Sequence, residues 1–388
     1  MLLLKGIMNF RNILVSLLFI SALPALGACE KFPWSNDASI TVPAPTAQKK
    51  WSRRKSFTTA NIGNLATQFN GERIFFVARD FEKGGAPYRE LILAINQNGE
   101  AVGDLEIKGK VKELSASGSG SHILAQTEDG EVILFEGFGK TGKRFDLGKA
   151  ESAVLSHTGQ FIALKRGGIY SVVSSDGKEL WKYPAGVELI IFPFLNHPDS
   201  SFIASKGSVA FWEGGKEIWK RDISGAPIAL SSSFLEGGLL AVSTGGEKGK
   251  IYFFNDKGEE LGVAAFHGGA VSLSCSRLGS ICAAYGNGAG GQSVALFRSD
   301  GGAVWNYSVK GSGARDSKVV LTGMGKENGF HIVAGFEKDG VLSLNGWDEK
   351  GNPLWYAPVE GGARSFELSW SGKKMVYITK NSVEFFSW

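Results

Sequence analysis

Seven copies of a glycine-centred turn recur along the 388-residue chain, at Gly99, Gly142, Gly177, Gly215, Gly258, Gly301 and Gly351. Their spacings are 43, 35, 38, 43, 43 and 50 residues. Four copies reach a tryptophan four positions on: Gly177-Lys-Glu-Leu-Trp181, Gly215-Lys-Glu-Ile-Trp219, Gly301-Gly-Ala-Val-Trp305 and Gly351-Asn-Pro-Leu-Trp355. A unit this short cannot shield its own apolar faces, so the copies must stack on one another. The period constrains the fold more than any single residue does.

One copy shows the local structure. Ala153–Ser156 is a short apolar run, and His157-Thr-Gly159-Gln turns the chain into Phe161–Leu164. Arg166-Gly-Gly168 turns it again into Ile169–Val173, and Ser175-Asp-Gly177 leads into Glu179–Tyr183. Asp-Gly suits such turns because glycine tolerates positive φ and the aspartate side chain bonds nearby amides. The first hairpin recurs as Leu114-Ser-Ala-Ser-Gly118 and Leu368-Ser-Trp-Ser-Gly372. Four short strands in about 40 residues, repeated, form the blade of a β-propeller. The 53 glycines against 11 prolines fit an all-β chain. A second set of glycines, at 148, 186, 225, 268, 311 and 361, is expected in the links that carry the chain from one blade's rim to the next blade's centre.

The C-terminal segment supplies only three strands, Phe366–Trp370, Met375–Thr379 and Val383–Trp388. Upstream of the first full copy, Gln48-Lys-Lys-Trp51-Ser-Arg-Arg resembles Gly215-Lys-Glu-Ile-Trp219-Lys-Arg. This N-terminal strand can complete the last blade and remove an exposed edge. Residues 48–388 are therefore expected to form an all-β, eight-bladed β-propeller of four-stranded blades, with seven blades as the alternative count.

The first residues carry an address. Within residues 1–28 the only charges are Lys5 and Arg11, ahead of the apolar run Ile13–Leu26, and Leu26-Gly-Ala-Cys29 follows. A basic start, an apolar stretch and small residues before a cut site make a secretory signal. Leu-Gly-Ala-Cys resembles the bacterial lipobox, which implies a signal peptide at 1–28, lipidation at Cys29 and a flexible tether at 29–47. The expected location is the cell envelope: the outer membrane facing the periplasm, with the inner membrane or cell surface as alternatives.

Composition narrows the partners. The formal net charge is +4 with acids and bases mixed throughout, so no electrostatic footprint for nucleic acid is present. Cys275 and Cys282 flank one hairpin turn, so they form either a disulfide in an exported protein or two free buried thiols. The five histidines fall in different repeats without metal-ligand spacing. Gly286-Asn-Gly-Ala-Gly-Gly291 matches a dinucleotide fingerprint by letter but is expected between two strands of one blade, where no helix N-terminus meets a phosphate. The turns at Lys206-Gly, Gly245–Gly249 and Phe336–Gly340 are candidates for a partner-docking face.

Asp-Gly-Lys-Glu-Leu-Trp181 and Gly-Lys-Glu-Ile-Trp219 resemble the pyrroloquinoline-quinone-type (PQQ-like) repeat, and the hairpin Leu155–Ala163 also looks like WD-type repeats. The resemblance implies that Trp181, Trp219, Trp305 and Trp355 pack between neighbouring blades. Gly103, Asp146 and Gly262 stand at the same position elsewhere, with Phe145 and Leu261 as candidate substitutes. The resemblance extends distantly to the propeller lipoprotein of the outer-membrane barrel assembly machinery. It implies a membrane-anchored scaffold for protein partners. The chain has no adjacent cysteines and its acids sit mainly in turns, so no cofactor, no metal and no catalytic residue is expected. The alternative is a small-ligand or glycan binder using the central channel.

Overall fold

The structure is a computed structural model. It describes residues 40–41, 52–58, 62–67, 73–79, 89–96, 100–138, 142–193, 199–233, 238–276, 278–288, 291–310, 318–322, 331–338, 341–359, 365–368, 374–379 and 382–387. Among these every regular element is a strand, and the strands form eight sheets. The inner and outer strands of blade 1 are Ile62–Thr67 and Ala101–Lys108; those of blade 2 are Val111–Ala116 and Lys143–Lys149. Blade 3 runs from Ser152–Leu155 to Glu179–Lys182, blade 4 from Val187–Ile191 to Lys216–Asp222, and blade 5 from Pro227–Ser232 to Glu260–Ala265. Blade 6 runs from Ser272–Cys275 to Ala303–Val309, and blade 7 from Val319–Thr322 to Pro353–Val359. In each, consecutive strands pair in sequence order.

Blade 8 is composite. Ser365–Leu368, Lys374–Ile378 and Ser382–Ser387 come from the C-terminal end, and Ser52–Thr58 supplies the outer strand, antiparallel from Ser52↔Ser387 to Thr58↔Ser382. Ser365–Leu368 lies beside Ile62–Thr67, so the inner strands of the last and first blades close the circle. Eight sheets decide the count in favour of eight blades over seven.

The recurring glycine owes its place to backbone geometry. Gly177, Gly215, Gly258, Gly301 and Gly351 have φ between 77° and 85°, a region that side chains with a Cβ avoid. Beside these turns the pairing slips by one residue, for example between Phe253 and Phe254 and between Gly346 and Trp347. A turn closed by a left-handed glycine and followed by a bulge is a favoured three-residue hairpin, and it increases the strand twist. Side chains complete it: Asn255 Oδ1 accepts from the amides of Lys257 (3.0 Å) and Glu259 (2.8 Å). Asp348 Oδ1 does the same for Lys350 (2.9 Å) and Asn352 (2.8 Å). Gly148 differs from expectation, because it sits inside the outer strand of blade 2 at a bulge rather than in a link. Gly186, Gly225 and Gly268 do lie in links with positive φ, whereas Gly311 and Gly361 lie outside the described residues.

The opposite hairpin, between the first two strands of a blade, uses serine. Ser117, Ser156, Ser233 and Ser276 are all buried, and each backbone N–H donates across the turn, to His122, Phe161, Leu239 and Ile281. Each hydroxyl then accepts the N–H of that same residue, at 3.0, 3.0, 2.8 and 3.2 Å. Removing such a buried acceptor leaves an N–H unsatisfied, at a cost of about 1–3 kcal/mol.

The apolar core consists of joints between blades. Each of eight clusters spans two adjacent sheets, and together they cover every junction of the ring. The cluster joining blade 8 to blade 1 includes Val376, Ile378 and Val383 on one side and Ile74, Phe76 and Ile95 on the other. Middle strands are therefore buried on both faces, as in Ile123–Ala125 and Leu239–Thr244. Ser156→Ala should lower the denaturant midpoint by the equivalent of ~1–3 kcal/mol without changing the slope of the transition, measured by urea unfolding.

Candidate functional site

The repeat tryptophans sit at these joints. Trp219 is buried beneath the next blade's outer turn, and its indole N–H donates to the Asp256 carbonyl at 2.8 Å. Trp305, fully buried, donates in the same way to the Glu349 carbonyl at 3.2 Å. Both acceptors lie two residues before the next repeat glycine, at Gly258 and Gly351. The glycine itself receives the ring: a Cβ on Gly258 would meet the Trp219 indole at 2.6 Å, and one on Gly215 would meet Trp181 at 2.9 Å. Arg221 reinforces the contact by donating to the Gly258 carbonyl at 2.7 Å while lying over Trp219. Trp181 is half-buried in the joint of blades 3 and 4, and Trp355 is fully buried in that of blades 7 and 8.

Where the repeat lacks tryptophan, two different solutions appear. Leu147, one position after Asp146, lies 3.4 Å from the place of a Cβ on Gly177. Phe145 packs beside it in the same joint. At Gly262 nothing substitutes. The Asp300 carbonyl of the next turn moves in to 1.9 Å from where a Cβ would be, and Leu261 faces solvent. The expectation for Leu261 is corrected on that ground: a bare backbone lets the neighbouring turn close without a wedge.

Cys275 and Cys282 are direct cross-strand partners in blade 6, both buried and both free thiols. The next pair exchanges a ladder bond, Ser276 N–H to the Ile281 carbonyl at 2.8 Å, which makes 275/282 the close, non-hydrogen-bonded pair. Burial, then the neighbouring Cys275, pushes the Cys282 thiol well above its ordinary pKa, so it stays protonated. Gly286 to Gly291 falls on a strand pair, with Gly288 opposite Gly291 and no helix following.

The inner strands use their serines between blades. Ser231 accepts the Cys275 amide at 3.0 Å, and Ser272 and Ser274 accept those of Val319 (3.2 Å) and Leu321 (3.0 Å). These hydroxyls stitch blades 5, 6 and 7 together. The inner strands also carry Lys112, Glu113, Glu188 and Glu367, more charge than the serine-rich copies suggest. Lys112 pairs with Glu113 at 3.7 Å, and Lys318 pairs with Glu367 across the joint of blades 7 and 8. Among the described residues no group of His, Cys, Asp and Glu is arranged to hold a metal ion.

The candidate docking turns are in part tied down. Gly245 N–H donates to Ala226 O at 3.0 Å, and Glu247 O lies 2.9 Å from His267 Nδ1. A Cβ on Gly249 would strike the Gly269 backbone at 2.4 Å. Asp339 and Gly340 lie outside the described residues, as do Cys29 and the whole of 1–28. A surface that sequence reasoning did not single out lies on the outer strands. Three residues after the repeat glycine stand Val102, Leu180, Ile218 and Leu261, each 40–53% exposed.

With this geometry the chain is similar to solved propellers. BamB from Moraxella catarrhalis superposes with a TM-score of 0.60 at 14% identity, over 87% of this chain and 100% of that one. Sqt1 from Chaetomium thermophilum, solved bound to the N-terminus of ribosomal protein L10, gives 0.62 at 13% over 85% and 97%. Sqt1 from Saccharomyces cerevisiae gives 0.61 at 14% over 90% and 100%. What they share with it is the fold. No protein-family model and no curated protein matches the sequence.

Trp219→Ala should cost ~3–5 kcal/mol in thermal or denaturant unfolding, as for other buried aromatics. Leu261→Ala should stay within about 0.5 kcal/mol, because its side chain faces water. Unfolding the protein without reductant should release two titratable thiols; none would mean that Cys275 and Cys282 are bridged.

Proposed function

We propose that the protein is a lipid-anchored envelope propeller that holds protein partners on a rigid ring. The observation that carries this reading is the aliphatic row at Val102, Leu180, Ile218 and Leu261. Four blades present the same repeat position to solvent, on strands fixed by buried joints. Their recurrence at one repeat position, rather than any single residue, is what supports reading this rim as a surface for protein contact. Sqt1, solved bound to the N-terminus of ribosomal protein L10, and BamB are comparisons that support a binding role. These are comparisons of fold, and a fold alone carries little functional weight.

The anchor is assigned to Cys29 from Leu26-Gly-Ala-Cys29. Two or three acyl chains, each methylene contributing ~0.8 kcal/mol in lipid, hold a protein stably to a bilayer. Cys29→Ser should therefore move the protein from the membrane fraction to the soluble one, and retention after a high-salt wash would refute the anchor. Affinity capture of the acylated protein should recover barrel-assembly components. Ile218→Asp, at an exposed position, should reduce that recovery at least about tenfold while leaving the unfolding transition unchanged.

A further inference from the structure

Blade 6 has a fifth strand. Ile40–Thr41, from the segment read as a tether, pairs in parallel with the outer strand Ala303–Val309, Ile40 opposite Trp305 and Thr41 opposite Asn306. We propose that this outer edge is a strand-acceptor site whose occupant is the chain's own N-terminal segment around Ile40–Thr41.

The chemistry of the eight outer strands explains why, among the described residues, this is the outer edge that carries an added strand. An open edge offers unpaired N–H and C=O groups to any extended chain, and proteins protect such edges with charge, proline or a covering segment. The outer strands of blades 1 to 5 all carry charge, from Asp104 in the first to Glu260 in the fifth. That of blade 7 contains Pro353 and Pro358, and that of blade 8 contains Arg53-Arg-Lys55. The blade 6 strand, Ala-Val-Trp-Asn-Tyr-Ser-Val, has neither charge nor proline.

Burial follows the same division. The outer strands of blades 1 to 5 are mostly exposed, as in Lys216–Asp222, where only Trp219 is buried. In blade 6 four consecutive residues, Trp305 to Ser308, are buried. Consecutive burial means that both faces of this strand are covered, whereas the outer strands of blades 1, 2, 4 and 5 bury no two neighbouring residues. One face is held by aromatic packing, with the Tyr307 ring 5.0 Å from that of Trp347 and the Trp305 ring 5.7 Å from it, while Asn306 and Ser308 are buried on the opposite face. The remaining edge is the one that Ile40–Thr41 occupies.

The position of this contact has a consequence that rests on the lipid-anchor reading. Cys29 precedes Ile40 by 11 residues, a span of at most about 40 Å when extended. The acyl group is then leashed within that distance of the rim of blade 6, although the ring itself is closed at blade 8.

The test uses the full-length, acylated protein carrying Ile40→Pro and Thr41→Pro, which remove both N–H groups without touching the ring. Hydrogen exchange read by mass spectrometry should show the edge-facing amides next to Trp305 and Asn306, within the peptide 303–309, exchanging at least about tenfold faster, with the outer strand of blade 5 unchanged. Unaltered exchange in 303–309 overturns the proposal. In a Cys275→Ser/Cys282→Ser background, spin labels at Ser39→Cys and Asp300→Cys should give one narrow distance below about 25 Å, as strand spacing dictates. A broad, long distribution overturns it independently. Cys29→Ser separates the two readings: release from the membrane with 303–309 still protected leaves the strand site intact, and retention at the membrane removes only the leash.

Discussion

Blade-to-blade packing is the interaction on which everything else in this molecule depends. A four-stranded sheet of about 40 residues has two apolar faces and no third layer of its own to cover them. Each face is buried only against the next blade, and the eight clusters occupy the eight junctions in turn. Any junction left open would expose roughly a whole sheet face. At ~25 cal/mol per Å² of apolar area, that loss is comparable with the entire stability of a domain. The ring must therefore close, and the composite eighth blade is the means.

The outer rim obeys a weaker version of the same constraint. Blades splay apart with distance from the axis, so the outermost joints need something bulky or something that moves inward. Trp219 and Trp305 are the bulky solution, and each anchors its indole N–H on a carbonyl of the following turn. Gly262 is the other solution, because its missing side chain lets Asp300 approach. The inner joints need hydrogen bonds instead of volume, and the small serines of the inner strands supply them. Links between blades rely on buried polar groups. Glu90, fully buried in blade 1, accepts the first amide of blade 2 at 2.6 Å, and Ser243 accepts that of Ala270 at 2.8 Å.

Much of this was readable in the chain, and the reason is local. In the third repeat the expected strands 161–164, 169–173 and 179–183 match Phe161–Arg166, Ile169–Ser174 and Glu179–Lys182 to within two residues. Turn glycines and alternating apolar residues act over a few positions, so sequence shows them directly. The facing of Cys275 and Cys282 was legible for the same reason, since a hairpin turn sets its own register. Leu261 was misjudged because its neighbour is 39 residues away in sequence, in a turn whose approach depends on the backbone at Gly262. The charged groups of the inner strands, Lys112, Glu113 and Glu367, directly precede the hairpin motifs at Leu114 and Leu368 and follow no repeat pattern that would mark them.

The sequence alone determined the repeat, the four-stranded blade, the left-handed turn glycines and the need for an N-terminal strand to complete the last blade. All of these follow from spacing and from the conformational limits of individual residues. Tertiary structure decided the count of eight, the carbonyl that each indole meets, and the placement of Ile40–Thr41 against blade 6 rather than in free tether. The physical reason is reach: an Ile-Thr pair carries no pattern of its own. Its partner strand lies more than 260 residues away and is identified only by being the edge that nothing else protects.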